Sequence, residues 1–242
     1  MTAQLNARGD VAVLVPAAGA GLRLGPGGPK ALRLLGGEPL LVHAVRRVAA
    51  APSVRMIVVA APSSDVDAVR ELLAPVADVT VVPGGAERQE SVATALSAVP
   101  PEVDIVLVHD GARALAPPQL VESVAAAVRG GLPAVIPVLP VIDTIKRVGP
   151  GDVVHDTVDR SLLRSVQTPQ GFRRDVLAAA HAAASDPLTD DAGLVERVGV
   201  PVTCVPGSEL AIKITRPLDL ILAEALLHLP DRSPGPVAAP RP

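Results

Sequence analysis

The sequence predicts an α/β fold in which a mainly parallel, twisted sheet carries helices on both faces. Short apolar runs of strand length alternate with longer segments whose apolar residues recur every three or four positions, as in amphipathic helices. Strands that are separated by helices pair in parallel, and such a sheet is covered on both sides. With 242 residues and 49% hydrophobic content, the chain can form one large domain, which we place at residues 1–229.

Five apolar runs are predicted as buried strands: VAVLV at 11–15, RMIVVA at 55–60, VTVVP at 79–83, DIVLVH at 104–109 and PAVIPV at 133–138. The helices predicted between them are LLVHAVRRVAA at 40–50, SDVDAVRELLAPV at 64–76, RQESVATALSAV at 88–99 and PQLVESVAAAVRGG at 118–131. The alternating segment AIKIT at 211–215 predicts a further strand that ends before Arg216. In such folds, ligands bind beyond the carboxyl ends of the strands.

A protruding β-hairpin arm is predicted at 141–160. The stretch VIDTIKRVGPGDVVHDTVDR consists of two alternating segments around a Gly-Pro-Gly turn. Because an isolated two-stranded hairpin is only marginally stable in water, we expect the arm to pack against another surface. The last residues, 230–242, are so rich in proline that we expect them to be disordered.

Composition argues against a protein that binds nucleic acids or membranes. The chain has one Phe and no Trp or Tyr, so stacking of bases on aromatic rings is essentially excluded. Its 22 Lys and Arg against 25 Asp and Glu give a net charge of −3, whereas domains that bind polyanions normally show a basic excess. We therefore expect no nucleic acid and no membrane partner, and any anion site must be a local cluster of cations.

Cys204 is the only cysteine, which excludes an internal disulfide framework and a cysteine metal cluster. We interpret it as a buried, inert thiol in the reducing cytosol. No apolar run approaches the ~18 residues of a membrane span, and the first ten residues lack the charged-then-apolar order of a signal peptide. A cytoplasmic protein is expected.

The loop VPAAGAGLRLGPGGPK at 15–30 directly follows the first predicted strand. It fits neither standard phosphate-binding motif, because Leu24 stands where the dinucleotide fingerprint needs its third glycine and Ala31 stands where a P-loop needs a hydroxyl. What remains is a glycine loop whose N–H groups can approach a polyphosphate, with Arg23 and Lys30 as fixed cations. The pattern favours a triphosphate clamp over an ordinary Gly/Pro turn with solvated charges.

Together with six later blocks, this loop resembles the 2-C-methyl-D-erythritol 4-phosphate cytidylyltransferase family. Its PAAGAGLR segment, which runs on to Pro29-Lys30, is similar to the first motif of that family, a motif that other sugar-nucleotide transferases share. The later blocks are GGAERQESV at 84–92, VHDGARAL at 108–115, DTIKRV at 143–148, DRSLLRSVQTPQGF at 159–172, TDDAGLVE at 189–196 and AIKITRPLDL at 211–220. The resemblance implies a Rossmann-like nucleotidyltransferase fold. It also implies transfer of CMP from CTP to the phosphate of 2-C-methyl-D-erythritol 4-phosphate, with release of pyrophosphate.

The residue types suit that chemistry. CTP carries about four negative charges and the incoming phosphate nearly two more, so repulsion dominates the approach to the α-phosphorus. The attacking phosphate oxygen is already ionised near neutral pH, and positioning and charge stabilisation can therefore suffice without a strong general base. We expect Arg23 and Lys30 to hold the triphosphate. The resemblance places Lys30 and Lys213 around the α-phosphate in the transition state.

Asp110 follows the fourth predicted strand, where a carboxylate meets the crevice and can bind Mg²⁺ that bridges phosphates. Strand alternation turns His109 to the opposite face, so we interpret His109 as structural. A helix cap is the alternative role for Asp110, and Arg113 favours a substrate site because it supplies a cation for the substrate phosphate. Asp190 and Asp191 could form a metal pair, but the sequence around them better fits the start of a helix.

The resemblance assigns nucleotide recognition to two loops. The positions that correspond to the family's CTP-binding groups are Pro16, Ala17, Ala18, Gly19 and Gly21 in the first loop and Gly84, Gly85, Ala86 and Ser91 in the second. A pocket of backbone donors and acceptors rejects a purine by size and uracil by hydrogen-bond mismatch. Ala86 and Ala211 replace polar residues of many relatives, so their side chains make no polar contact. We interpret Arg88 as a residue that braces the second loop, and Ser91 fits a helix start as well as a base contact.

The resemblance also gives the arm a partner. It implies a homodimer in which the arm embraces the equivalent arm of a second subunit and delivers Thr144 and Arg160 to the partner's substrate site. Thr168, in QTPQGF, would bind substrate in its own subunit. Without the resemblance, Thr144 and Arg160 are equally well interpreted as exposed strand residues.

Other functions stay open from the residues alone. Another sugar-phosphate or molybdopterin nucleotidyltransferase would share the first loop but lack the DTIKRV and IKIT blocks. An NAD-linked oxidoreductase would need the missing third glycine and an acidic residue at the end of the second strand, where RMIVVAAPSSD places none. A non-catalytic nucleotide-binding regulator would tolerate the loss of Lys30 or Lys213, and both are present.

Overall fold

The computed structural model describes residues 9–19, 21–25, 28–186 and 188–227, and these form an α/β structure. Strands within this part are β1 (Val11–Pro16), β2 (Leu34–Leu35), β3 (Glu38–Pro39), β4 (Val54–Ala61), β5 (Thr80–Pro83), β6 (Ile105–Val108), β7 (Ala134–Pro140), β8 (Ile145–Val148), β9 (Val154–Val158), β10 (Arg164–Val166), β11 (Gln170–Arg173) and β12 (Thr203–Pro206). The α-helices are α1 (Leu40–Ala49), α2 (Val66–Leu73), α3 (Arg88–Ser97), α4 (Pro118–Arg129), α5 (Arg174–Ala182), α6 (Asp191–Arg197) and α7 (Pro217–Leu227).

The central sheet is mixed and mostly parallel, as predicted. Its strand order is β10-β7-β11-β6-β1-β4-β5, and β12 pairs in parallel with β7. The parallel pairs β1–β4, β1–β6 and β4–β5 build one half of the sheet. In the other half, β11 runs antiparallel between β6 and β7, and β10 is antiparallel to the end of β7. The five predicted strands and four predicted helices are confirmed, with ends shifted by at most a few residues.

Helices cover both faces of the sheet because the central strands are apolar on both sides. In β1, Val11, Val13 and Val15 pack on the face that α1, α2 and α4 cover, whereas Ala12 and Leu14 pack on the face that α3, α5 and α6 cover. All five side chains are fully buried. Because the parallel half has buried side chains on both faces, its carboxyl edge is a firm platform for the loops that follow β1, β5 and β6.

The predicted arm is a two-stranded antiparallel hairpin of β8 and β9 that forms a sheet separate from the central one. Its turn passes through Gly151 at φ +74, a left-handed conformation that glycine adopts at little cost. Large apolar side chains on and beside the arm are exposed in the single chain, among them Ile142 at 83% and Leu162 at 81%. Such an exposed apolar set is expected where a second protein surface covers it.

Cys204 was predicted to be buried, and that prediction is wrong. It lies on β12 and is exposed. The strand pairs with β7 along one side only, so the burial typical of a central strand does not extend to it within the described residues. The thiol therefore has no packing role in the core of the single chain.

None of the helices in the described part of the chain is both long and apolar enough to cross a membrane. The tail predicted to be disordered, 230–242, lies outside the described residues.

Candidate active site

A cleft of about 490 Å³ opens beyond the carboxyl ends of β1, β5 and β6, where the fold class predicts a ligand site. Most of the residues selected from the sequence line it: Pro16, Ala17, Ala18, Gly19, Gly21, Arg23, Lys30, Gly85, Ala86, Ser91, Asp110 and Lys213. Gly84 lies directly beneath it, whereas Arg113 and Thr168 lie behind its floor and Thr144 and Arg160 lie on the arm. The cleft is thus built from loops that are far apart in the sequence.

The first loop folds back on itself so that Lys30 stands over Gly21. The Lys30 N–H donates to the carbonyl of Gly19 (3.2 Å). Gly21 has φ +69, and a Cβ on it would lie 2.5 Å from the Cβ of Lys30, so only glycine fits there. From outside, the Arg33 guanidinium donates to the carbonyl of Gly25 (2.9 Å). This packing brings Arg23 and Lys30 to the same wall of the cleft, and the bracing role of Arg33 has no signature in the sequence.

The second loop closes against the first. Gly84 donates its N–H to the carbonyl of Ala61 (2.7 Å), and a Cβ on Gly84 would lie 2.7 Å from the Cβ of Ala18. The Gly85 N–H donates to the Ser91 hydroxyl (3.1 Å), and the Ala86 N–H donates to Glu90 (2.8 Å). Ser91 is thus a loop contact. The carbonyls of Gly84 and Glu87 accept from the hydroxyls of Ser63 and Ser91. Because both N–H groups and these two carbonyls are used, the carbonyl oxygens of Gly85 and Ala86 are the groups that the loop can offer a base.

Asp110 is the carboxylate at the floor of the cleft, and it contacts two cations. Its Oδ2 lies 2.8 Å from Nζ of Lys213, and its Oδ1 accepts from Nε of Arg88 (3.2 Å). Burial alone would raise the pKa of Asp110, but Arg88 and Lys213 outweigh that effect and hold the pKa well below its usual value. Asp110 is therefore ionised throughout the neutral range.

Lys30 has an unusual environment for a lysine. Burial lowers the pKa of its ammonium group to about 8, and the nearby charges of Lys213 and Arg23 act in the same direction, partly offset by Asp110. A half-buried cation among other cations is electrostatically unfavourable until an anion arrives. The cleft therefore suits a polyanionic ligand, since such a ligand stabilises all three cations.

The segment that carries Lys213 was predicted as a strand, and that prediction is wrong. Residues 211–215 pair with no strand. The Ile214 N–H donates to the carbonyl of Ala112 (2.9 Å), and the Arg113 guanidinium donates to the carbonyl of Ala211 (2.6 Å). The buried side chains, Ala211 and Ile214, are three residues apart, so the burial does not alternate as it would in a strand, and loop and side-chain groups take the place of a ladder.

Behind Asp110, Thr168 and His109 support the backbone. The Asp110 N–H donates to the Thr168 hydroxyl (3.0 Å), which lies 3.2 Å from Nδ1 of His109. Burial lowers the pKa of His109 to about 4, so the ring is neutral and can accept the hydroxyl proton. The interpretation of His109 as structural is confirmed. Thr168, only 4% exposed, holds Asp110 in place from below.

The other predicted substrate contacts do not line the cleft of a single chain. Arg113 is 8% exposed, and its guanidinium donates to the carbonyls of Ala211 and Val166 (3.0 Å for the latter). Thr144 and Arg160 are exposed on the arm, where Arg160 donates to the carbonyl of Ile142. Arg113 thus supports the segment that carries Lys213, and the arm residues are available to a second surface.

Arg88 was interpreted as a brace of the second loop, but the contacts of its guanidinium in the described part of the chain are with two carboxylates outside that loop. Besides Asp110, Arg88 contacts Asp191 at the start of α6, with Nη1 2.7 Å from Oδ2. Asp191 is fully buried, and its Oδ1 lies 3.0 Å from Nε2 of His181 on α5. Asp190 caps α6 by accepting from the N–H of Gly193 (3.1 Å), so the predicted helix start is confirmed. Sequence reasoning missed the Arg88–Asp191 contact, because the two residues are separated by 103 positions.

The donor set fits a divalent cation that arrives with its ligand. Within the described ranges, no three His, Cys, Asp or Glu residues cluster closely enough to form a metal cage. Mg²⁺ is commonly held by one or two carboxylates, waters and substrate phosphates, and Asp110 can supply the carboxylate. The site therefore has the chemistry for Mg²⁺ bound together with a triphosphate.

A larger cavity of about 720 Å³ lies at the opposite edge of the sheet, near the amino ends of β1 and β6. Two of its three arginines are paired, Arg129 with Asp10 at 2.6 Å and Arg173 with Asp175, and the third, Arg174, donates to the carbonyl of Val99. Glu102 and Asp104 add further negative charge to its wall. The smaller cleft has the unbalanced cations, so charge and not volume identifies it as the anion site.

Comparison with known sequences agrees with this geometry. Residues 11–229 match the sequence model of the 2-C-methyl-D-erythritol 4-phosphate cytidylyltransferase family. Relatives that carry this name include a protein of Frankia casuarinae, 59% identical over 90% of this chain and 81% of its own length. Another, from Saccharopolyspora erythraea, is 57% identical over 90% of this chain and 99% of its own length.

Solved structures with the same fold carry the same activity in their names. The 2-C-methyl-D-erythritol 4-phosphate cytidylyltransferase of Thermus thermophilus superposes with a TM-score of 0.75 at 38% identity, over 91% of this chain and all (100%) of that one. The 4-diphosphocytidyl-2C-methyl-D-erythritol synthase of Anaerococcus prevotii gives a TM-score of 0.79 at 28% identity, over 90% and 98%. The described fold is therefore the α/β fold of a nucleotidyltransferase.

Proposed function

The chain belongs to the 2-C-methyl-D-erythritol 4-phosphate cytidylyltransferase family, and we propose that the cleft beyond β1, β5 and β6 is where it transfers CMP from CTP to 2-C-methyl-D-erythritol 4-phosphate. The protein is a nucleotidyltransferase, and pyrophosphate is the second product. The observation that carries the assignment of the site is the convergence of Arg23, Lys30 and Lys213 on one cleft whose floor is Asp110.

Catalysis follows from charge and position. A phosphate oxygen of the methylerythritol phosphate attacks the α-phosphorus of CTP in line with the leaving pyrophosphate, forming one P–O bond as the other breaks. Arg23 and Lys30 bind the triphosphate and neutralise the charge that develops on the leaving group. Lys213 faces the cleft beside Asp110 and holds the attacking phosphate against its natural repulsion.

Asp110 provides the protein contact to Mg²⁺. A bound Mg²⁺ would supply positive charge that screens the triphosphate, with Asp110 as its carboxylate ligand. Arg88 holds one oxygen of Asp110 and Lys213 holds the other, so Lys213 would have to release Oδ2 for the carboxylate to bind the metal. The ammonium group is then free for the incoming phosphate.

Nucleotide choice lies in the two loops that meet at Ala18 and Gly84. With the N–H groups of Gly85 and Ala86 bonded to Ser91 and Glu90, the second loop offers carbonyl oxygens, which accept from the exocyclic amine of cytosine. Uracil has a carbonyl oxygen in the position of that amine, and this oxygen would face a carbonyl oxygen of the loop without a hydrogen bond.

We therefore expect CTP to be strongly preferred over UTP, ATP and GTP. Uracil is rejected by unpaired acceptors, and the purines are rejected by size. Pyrophosphate release measured with each nucleotide at equal concentration checks this. Equal turnover with UTP would contradict the cytosine assignment.

Activity should also report the protonation of Lys30. Because the ammonium group binds the triphosphate and its pKa in the free protein is about 8, kcat/KM for CTP should fall as pH rises above that value. In the CTP complex the triphosphate stabilises the ammonium, so kcat itself should fall only at higher pH. The control is Lys30→Arg, whose guanidinium stays protonated and should remove the decline. A wild-type profile that stays flat well above pH 8 would be inconsistent with this role.

The arm completes the proposed site in a homodimer. Thr144 and Arg160 contact the substrate of the partner subunit, while Arg113 and Thr168 support the site of their own subunit through buried hydrogen bonds. The exposed apolar side chains beside the arm support an interface there. The family reaction uses soluble metabolites, which supports a cytoplasmic location.

A further inference from the structure

We propose that Asp191 and His181 are positioning residues that hold Arg88 from behind, so that Asp110 keeps one carboxylate oxygen available to the metal–nucleotide complex. This inference rests on the proposed role of Asp110 in that complex. Neither residue lines the cleft, and neither touches substrate. Their effect on the site passes through Arg88.

The two cations on Asp110 are held in different ways. Lys213 lies on the open side, with its side chain 44% exposed, and reaches Asp110 from the cleft. Arg88 lies on the inner side, with its side chain 28% exposed, and is fixed at a second point by Asp191. Arg88 is therefore held by two carboxylates, whereas the Lys213 ammonium group is held, among the described residues, by Asp110 alone and can be exchanged.

The geometry of the Arg88 guanidinium shows what Asp191 prevents. Nη1 donates to Oδ2 of Asp191 and Nε donates to Oδ1 of Asp110, so the guanidinium is fixed at two points in an orientation that contacts only one oxygen of Asp110. An arginine without such an anchor can present two parallel N–H groups to one carboxylate and bind both of its oxygens. In that arrangement Oδ2 of Asp110 would face Arg88, and the metal–nucleotide complex would lose its oxygen ligand.

His181 fixes the anchor in turn. Its Nε2–H donates to Oδ1 of Asp191, so both oxygens of that carboxylate are bonded, one to His181 and one to Arg88. The side chains of His181 and Asp191 are 6% and 1% exposed, which leaves little room for either to rotate. The chain His181–Asp191–Arg88–Asp110 therefore links α5, α6 and α3 to the floor of the cleft.

The test measures how tightly the protein binds Mn²⁺ together with CTP, without methylerythritol phosphate and without turnover. Free Mn²⁺ is counted by electron paramagnetic resonance for the wild-type protein and for the variants Asp191→Asn, His181→Leu and His181→Gln. Asp110→Asn sets the value for a lost carboxylate. Leu194→Ala is the matched control, because it loosens the same helix, α6, through a buried side chain that has no polar contact.

We expect Asp191→Asn to weaken Mn²⁺·CTP binding about 10-fold, the loss typical when a partner of a metal-binding carboxylate is removed. His181→Leu should weaken binding to a smaller extent. His181→Gln should bind as the wild-type protein does, because its amide can donate to Asp191 in place of Nε2. In steady-state assays, excess Mg²⁺ should restore the turnover of Asp191→Asn but not that of Asp110→Asn.

Wild-type affinity in Asp191→Asn, or an equal loss in Leu194→Ala, would overturn the positioning role. Equal affinities of His181→Leu and His181→Gln would remove His181 from the chain of contacts. If Asp191→Asn does not fold, the difference in Mn²⁺·CTP affinity between His181→Leu and His181→Gln tests the positioning role. Absence of cytidylyl transfer by the wild-type protein would instead contradict the proposed function. The Mn²⁺·CTP affinities of the variants relative to the wild-type protein are measured without turnover and do not depend on that result.

Discussion

Replacing Lys30 or Lys213 with alanine lowers kcat by ~10²-fold or more, because each change removes a preorganised cation aimed at charge that develops during transfer. Lys30 stands over Gly21 on the wall of the cleft, and Lys213 is 2.8 Å from the carboxylate on its floor. Both effects should be larger on kcat than on thermal stability, since the ammonium groups of both residues face the cleft. Stopped assays of pyrophosphate release together with melting curves check this.

The matched control for the lysine variants is Arg55→Ala. Arg55 is a surface cation that contacts Glu102 at 3.5 Å, at the amino end of β4 and away from the cleft. Its loss removes the same unit of charge from the protein and should leave kcat unchanged. Near-normal kcat in Lys30→Ala or Lys213→Ala would exclude the catalytic role of that lysine. A comparable loss in Arg55→Ala would point to net charge and not to position.

Mixing two inactive variants restores activity if the arm works across a dimer. The proposed site takes Lys30, Asp110 and Lys213 from one chain and Arg160 from the other, as a two-fold interface allows. In a heterodimer of Arg160→Ala and Lys213→Ala chains, one site is wholly native and the other carries both lesions. In a random equal mixture roughly half of the dimers are mixed, so activity should recover to about a quarter of wild type per total site.

The separate variants, carried through the same mixing procedure, provide the control, and native mass spectrometry verifies that subunits exchange. If Arg160 served its own subunit, every site would keep one lesion and no recovery would occur. Verified exchange with no gain in activity would exclude the trans assignment of Arg160 and, with it, that of Thr144. In the single chain both residues are exposed on the arm and do not line the cleft, which is the arrangement that the dimer hypothesis requires.

The parallel half of the fold could be predicted because each of its buried strands is one continuous apolar run in the sequence. In β1 and β6, unbroken apolar runs mark strands covered on both faces, and the helices between them carry one apolar stripe. The place of β11 could not be predicted. It has four residues, and its position between β6 and β7 depends on pairing with strands that lie far away in the chain.

The residues of the candidate site also divide into those that a local motif predicts and those that only the folded chain brings together. Arg23, Lys30 and Asp110 stand in short motifs whose glycines and strand ends carry a physical meaning, so their convergence could be expected. The alternation at 211–215 was typical of a strand, yet its N–H and carbonyl groups bond to a loop and to Arg113, which periodicity alone cannot distinguish. The contact between Arg88 and Asp191 has no local pattern, because only the packing of α3 against α5, and of α5 against α6, brings the two residues together.

The central claim is that this cleft joins CTP to 2-C-methyl-D-erythritol 4-phosphate, and the most direct test is a product assay with purified protein. The protein is incubated with CTP, Mg²⁺ and one of a panel of phosphorylated polyols, and phosphorus NMR follows both the nucleotide product and pyrophosphate. We predict that methylerythritol phosphate gives 4-diphosphocytidyl-2-C-methyl-D-erythritol and an equal amount of pyrophosphate, that other polyol phosphates give little, and that Lys213→Ala gives almost none. Transfer to a different polyol phosphate with none to methylerythritol phosphate, or no nucleotide product at all, would contradict the account.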